Sequence, residues 1–89
     1  MVEKRIMIKN KLGLHARAAV KFVNTANRFK AAVHITKDSL EIDGKSILGI
    51  LTLAATQGTS IQLRCSGRDE EAACAALVEL INERFGEKE

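Results

Sequence analysis

The sequence predicts an α+β fold built as a two-layer sandwich, with four short strands forming one layer and three helices the other. Three observations carry this reading. Four segments alternate apolar and polar residues at the period of a half-buried strand, and three repeat apolar residues at the period of an amphipathic helix. They follow one another as strand, helix, strand, strand, helix, strand, helix, and a sheet with one apolar face needs a layer of helices to cover it. The chain has 89 residues, enough for one small domain with a modest core, so residues 1–89 are read as a single domain.

The opening segment VEKRIMIKN reads as a strand in which Val2, Ile6 and Ile8 share one parity. Residues 16–28 place Ala16, Ala19, Val20, Val23 and Ala26 at helical spacing, with Phe22 widening the stripe. AAVHITK alternates through Ala31, Val33 and Ile35, and SLEID through Leu40 and Ile42, with Asp38 and Ser39 as the tight turn of a hairpin. In KSILGILTLAA, Ser46 is a good helix N-cap and Ile47, Leu48, Ile50, Leu51 and Leu53 are apolar nearly all round, so this helix both buries and exposes apolar side chains. GTSIQLRCSG alternates through Ile61, Leu63 and Cys65 as a fourth strand. The last segment, DEEAACAALVELINERF, carries the stripe Cys74, Leu77, Val78, Ile81 and Phe85 behind an acidic first turn that complements the helix dipole.

Composition narrows the function classes. No stretch approaches the roughly 20 apolar residues of a membrane span, and the first residues lack a signal peptide's long apolar run, so a cytoplasmic protein without membrane insertion is expected. Cys65 and Cys74 lack the spacing of a metal or redox motif and read as small core hydrophobes. The net charge is +3, but residues 1–45 hold ten of the fourteen Lys and Arg against four acids, while the rest holds four against seven. That positive front half suits a phosphate or an acidic protein partner. A sequence pI of 9.1 keeps a nucleic-acid-binding domain as an alternative, but three phenylalanines are too few for a base-stacking platform, and no nucleic-acid partner is expected.

The stretch GLHARAA, residues 13–19, puts His15 and Arg17 at the start of the first helix, where positive charge is disfavoured. One reading makes His15 a surface residue and Arg17 an ordinary solvated side chain. In the other, the dipole end and Arg17 push the imidazole towards its neutral, nucleophilic form. A phosphoryl group taken up by that ring would lie against the free N–H groups of residues 16 and 17, with Arg17 to hold its oxygens. Gly13, the small Ala16, Ala18 and Ala19 that leave the ring open, and the positive front half favour the second. His15 and the distant His34 are too few ligands for a metal site, so neither a metal nor a cofactor is expected, and His34 reads as structural or surface. No signature such as GxSxG supports a hydrolase.

Taken together, NKLGLHARAAVKFV, DGKSILGIL and SGRDEEAACAALVELINERFGE resemble the HPr family, the histidine-containing phosphocarrier proteins of the bacterial phosphoenolpyruvate-dependent phosphotransferase system. The resemblance runs over essentially the whole chain, in order and without gaps. It implies an open-faced β-sandwich of four antiparallel strands with three helices on one face. It implies a monomeric, non-enzymatic carrier in sugar transport or regulation, in which His15 takes a phosphoryl group on Nδ1 from enzyme I and passes it to an enzyme II A component. Arg17 matches the arginine that neutralises the phosphohistidine, and Ser46 the serine modified by HPr kinase/phosphorylase. Family members commonly have proline where this chain has Ala18, which loosens the first turn without removing a phosphate ligand. The alternative within the resemblance is a nitrogen-type regulatory paralogue acting mainly as a signalling and binding module.

Ile47, Leu48 and Leu51 are expected to form an exposed apolar docking patch, joined by Ala16 and Val20 on the first helix. A phosphate on Ser46 would sit at a helix start, leave the fold intact, and repel an acidic partner surface from that patch.

Overall fold

The computed structural model describes residues 1–89 and contains the four strands and three helices in the predicted order. β1 (Val2–Met7), β2 (Ala32–Lys37), β3 (Leu40–Asp43) and β4 (Ser60–Ser66) form one antiparallel sheet in the order β1-β4-β2-β3. α1 (Ala16–Ala26), α2 (Ile47–Leu53) and α3 (Glu70–Asn82) cover one face of it and leave the other open.

The register explains why one face is covered. Ile6 pairs with Ile61, Ile35 with Leu63 and Ile42, and Val33 with Cys65, so the apolar parity of every strand falls on the same side. Val33, Ile35, Ile61, Leu63 and Cys65 join Phe22, Ala26, Ile50, Leu77 and Ile81 in a single core of 21 buried residues, with Ile6 and Ile42 half-buried against it. Each fully buried Leu, Ile or Phe adds about 1.5–3 kcal/mol relative to leaving it exposed. The other parity gives two polar ladders on the open face: Glu3, Arg64, His34 and Asp43 in one, Arg5, Gln62, Thr36 and Glu41 in the next. Arg64 and Glu41 form an ion pair there. Asp38 takes the left-handed conformation in the two-residue hairpin turn between β2 and β3, with φ 55°.

Asp69 ties the layers together. Its carboxylate accepts the amides of Lys30 and Ala31 at 2.9 and 2.8 Å, joining the loop after α1 to the start of α3. These bonds, that from Lys30 foremost, hold its carboxyl below the usual carboxylate range. Cys65 and Cys74 are buried free thiols, and burial pushes Cys65 up to about 11.

Three expectations need correction. α1 ends at Ala26 rather than residue 28. Its buried face is Ala18, Ala19, Phe22, Val23 and Ala26, whereas Ala16 and Val20, read into the apolar stripe, are exposed, because the core-facing stripe runs through 18, 19, 22, 23 and 26 and leaves 16 and 20 on its flank. α3 stops at Asn82; Phe85 is still buried, but it gets there on a separate turn in which Arg84, Phe85 and Gly86 all have positive φ. That reversal directs the last residues back towards the start of α1.

Candidate functional site

The loop before α1 is shaped by Gly13. Its φ is +68°, and a Cβ there would fall 2.4 Å from the Ala55 carbonyl oxygen, so only glycine fits. The next residue, Leu14, donates its N–H to that same carbonyl at 2.9 Å and buries its side chain. The chain therefore enters α1 from a fixed point, and His15 follows in an extended conformation as the N-cap.

His15 caps the helix with its own ring. Nδ1 accepts the Arg17 N–H at 3.3 Å, a long bond by the standards of N–H···acceptor contacts. Nε2 lies 2.5 Å from the Glu87 carboxylate, in a contact that is only 25% exposed on the histidine side and 14% on the glutamate side. A carboxylate accepts and a backbone N–H donates, so in the neutral ring Nε2 carries the proton and Nδ1 the lone pair that accepts the Arg17 N–H. Burial works against the Glu87 carboxylate. Hydrogen bonds from Asn10 and His15, together with the charges of His15 and Arg17, outweigh it and hold the carboxyl below its ordinary range.

Arg17 is exposed and lines a shallow cleft of about 460 Å³ with Lys11, Leu12, Glu87, Lys88 and Glu89. The Ala18 amide, in the free first turn of the helix, has no partner within the chain. An anion at Nδ1 would face the start of the helix at Ala16 and Arg17. Of the small residues next to His15, Ala18 and Ala19 are wholly buried and Ala16 is exposed.

Ser46 caps α2, its Oγ accepting the Gly49 N–H at 3.0 Å. Ile50 and Leu53 of α2 are buried, while Ile47, Leu48 and Leu51 are 40, 77 and 37% exposed. α2 packs beside α1, which contributes the exposed Val20 and Ala16. His34 lies on the open sheet face, paired in register with Arg64 and Asp43, apart from His15.

Sequence reasoning missed Glu87 and Asn10. Asn10 is wholly buried, and its Nδ2 donates both to the Gly13 carbonyl (2.8 Å) and to Glu87 Oε1 (3.0 Å). The only signal in the sequence was a polar residue at a position continuing the buried parity of Ile6 and Ile8. Leu12, 66% exposed beside the site, was also passed over.

A four-stranded open-faced sandwich that presents a histidine as the N-cap of its first helix, with an arginine two residues on, belongs to the class of small phosphocarrier proteins. Residues 2–83 match the family described as "PTS HPr component phosphorylation site". The phosphocarrier protein HPr of Neisseria meningitidis serogroup A is 52% identical over 89 residues, covering 100% of both chains. That of Pseudomonas aeruginosa is 51% identical over 85 residues, 94% of each. The crystal structure of HPr-C-His from Thermoanaerobacter tengcongensis superimposes with a TM-score of 0.97 at 47% identity, covering 100% of both chains. The chain belongs to the HPr family of phosphocarrier proteins of the phosphotransferase system.

Proposed function

We propose that this protein carries a phosphoryl group on His15 Nδ1, received from phosphorylated enzyme I and delivered to an enzyme II A component, in the cytoplasm and as a monomer. The observation that carries the proposal is the pair of contacts on the ring, which leaves the proton on Nε2 and the lone pair on Nδ1 at a helix start. The Nδ1 lone pair attacks phosphorus in line, and the donor's N–P bond breaks with its electron pair returning to the donor nitrogen. The Arg17 N–H exchanges its long bond to Nδ1 for one to a phosphoryl oxygen, and the Arg17 guanidinium balances the incoming charge. No bond to carbon or hydrogen changes, so the group stays transferable and the same geometry serves delivery.

The exposed side chains Ala16 and Val20 of α1 and Ile47, Leu48 and Leu51 of the adjacent α2 provide an apolar surface for both partners. Ser46 stands at its edge as the site for HPr kinase/phosphorylase. Asp caps helices as well as Ser does, so Ser46→Asp should melt as wild type while slowing transfer from enzyme I. Unchanged transfer would remove Ser46 from regulation.

The test of the carrier reading is incubation with phosphoenolpyruvate and enzyme I. An acid-labile, base-stable phosphate on wild type and none on His15→Ala supports it; no phosphate on wild type, or equal labelling of the variant, overturns it. Onward transfer to a panel of enzyme II A proteins then separates sugar uptake from a regulatory branch.

A further inference from the structure

The segment after α3 does more than end the chain. Phe85 is buried and its carbonyl accepts Lys21 Nζ at 2.6 Å. Three consecutive positive-φ residues, Arg84, Phe85 and Gly86, turn the chain back on itself. Beyond them Lys11 N–H donates to the Glu89 main-chain oxygen at 2.5 Å, and Lys11 Nζ lies 3.4 Å from the Glu89 carboxylate. Between these two anchorages Glu87 reaches His15 Nε2.

The Asn10 amide shows that this contact is held and not incidental. Asn10 is wholly buried, its Nδ2 bonds both Gly13 O and Glu87 Oε1, and its Oδ1 has no partner. An unmet buried acceptor costs stability, and turning the amide over would set its oxygen against two other oxygens. The amide is therefore locked with its donors towards the glutamate. A buried Asn, a carboxylate and an imidazole form a chain in which each group fixes the next.

Resting on the carrier reading above, we propose that Glu87, oriented by Asn10, is a positioning residue for phosphoryl transfer, holding the His15 ring by Nε2 so that Nδ1 faces the donor. When Nδ1 takes the phosphoryl group from the Nε2–H tautomer, the ring becomes a phosphoimidazolium. The proton stays on Nε2 and the positive charge lies against the Glu87 carboxylate. On delivery the Nδ1–P electron pair returns to Nδ1, restoring the same tautomer. Glu87 thus stabilises the charged ring that both transfers pass through without exchanging a proton.

The test combines proton NMR with transfer kinetics on the full chain. Wild type should show a downfield His15 Nε2–H resonance protected from exchange with water, lost in Glu87→Ala and retained in Glu87→Gln, whose amide oxygen still accepts. Transfer from enzyme I should fall on the order of 10-fold at saturating protein in Glu87→Ala, with an unchanged KM and a normal melt, and less in Glu87→Gln. Wild-type transfer rates in Glu87→Ala, or an Nε2–H resonance that survives in it, overturn the positioning role. Failure of wild type to take up phosphate at all would instead overturn the carrier reading, so the two failures are distinct.

Discussion

The two helix starts of this protein use the same device to different ends. Ser46 caps α2 with a bond of 3.0 Å to the Gly49 amide, a small polar side chain doing what serine does best at that position. His15 caps α1 through a ring nitrogen at 3.3 Å, a weaker cap from a residue type rarely chosen for it. The ring at the α1 start is held from its far side instead, by a glutamate 72 residues away. The difference teaches how to separate a cap held locally from one held by a distant contact. At Ser46 the local bond accounts for the cap; at His15 the local bond is long and the ring is held chiefly by Glu87.

The comparison breaks most readily at Arg17. The Arg17 side chain is exposed, so on the carrier reading it matters to a phosphoryl group on His15 and hardly to the fold. Arg17→Glu should therefore slow transfer from enzyme I on the order of 100-fold. Its urea unfolding should stay within about 0.5 kcal/mol of wild type. A large loss of stability with little loss of rate would make Arg17 a structural residue.

Stability sharpens the contrast between the caps. Ser46→Ala should cost about 1 kcal/mol in urea unfolding, as N-cap losses do. In a Glu87→Ala background, where the long cap bond is all that the ring has to give up, His15→Ala should cost less than Ser46→Ala, and it should abolish phosphate uptake. The reverse order of the two costs would mean that the histidine is there for the helix.

The fold was largely legible because periodicity is a local property. The strand parities of Ile61, Leu63 and Cys65, the Asp38–Ser39 turn and the Ser46 cap were each readable within a few residues and match the structure. The misreadings also have a local cause. Ala16 and Val20 lie at helical spacing with the core residues of α1, yet spacing alone does not tell which edge of an apolar stripe the sheet covers. Phe85 keeps the stripe of α3 in sequence but reaches the core through a left-handed turn. The place of His15 at the start of α1, with Arg17 two residues on, was legible from residue type and position, whereas the contact of Glu87 with His15 was not. That contact depends on three consecutive positive-φ residues and on a loop at the other end of the chain, and no pattern in GEKE marks it.

The smallest effect concerns Ala18, where family members commonly carry proline. The Ala18 amide has no partner within the chain, so proline there removes no hydrogen bond. Ala18→Pro should stabilise the protein by about 0.4–1 kcal/mol through the unfolded state, with transfer rates unchanged. A destabilised variant would mean that the wholly buried Ala18 side chain has no room for the ring.

The central claim is that the helix start and Glu87 together assign the two ring nitrogens of His15, the proton to Nε2 and the nucleophile to Nδ1. The most direct measurement is phosphorus–nitrogen NMR on protein carrying 15N-labelled imidazole and phosphorylated through enzyme I. The account predicts a single phosphorus resonance coupled to Nδ1 of His15, with Nε2 still bearing its proton. Phosphorus coupled to Nε2, or phosphate on any other residue, would contradict it.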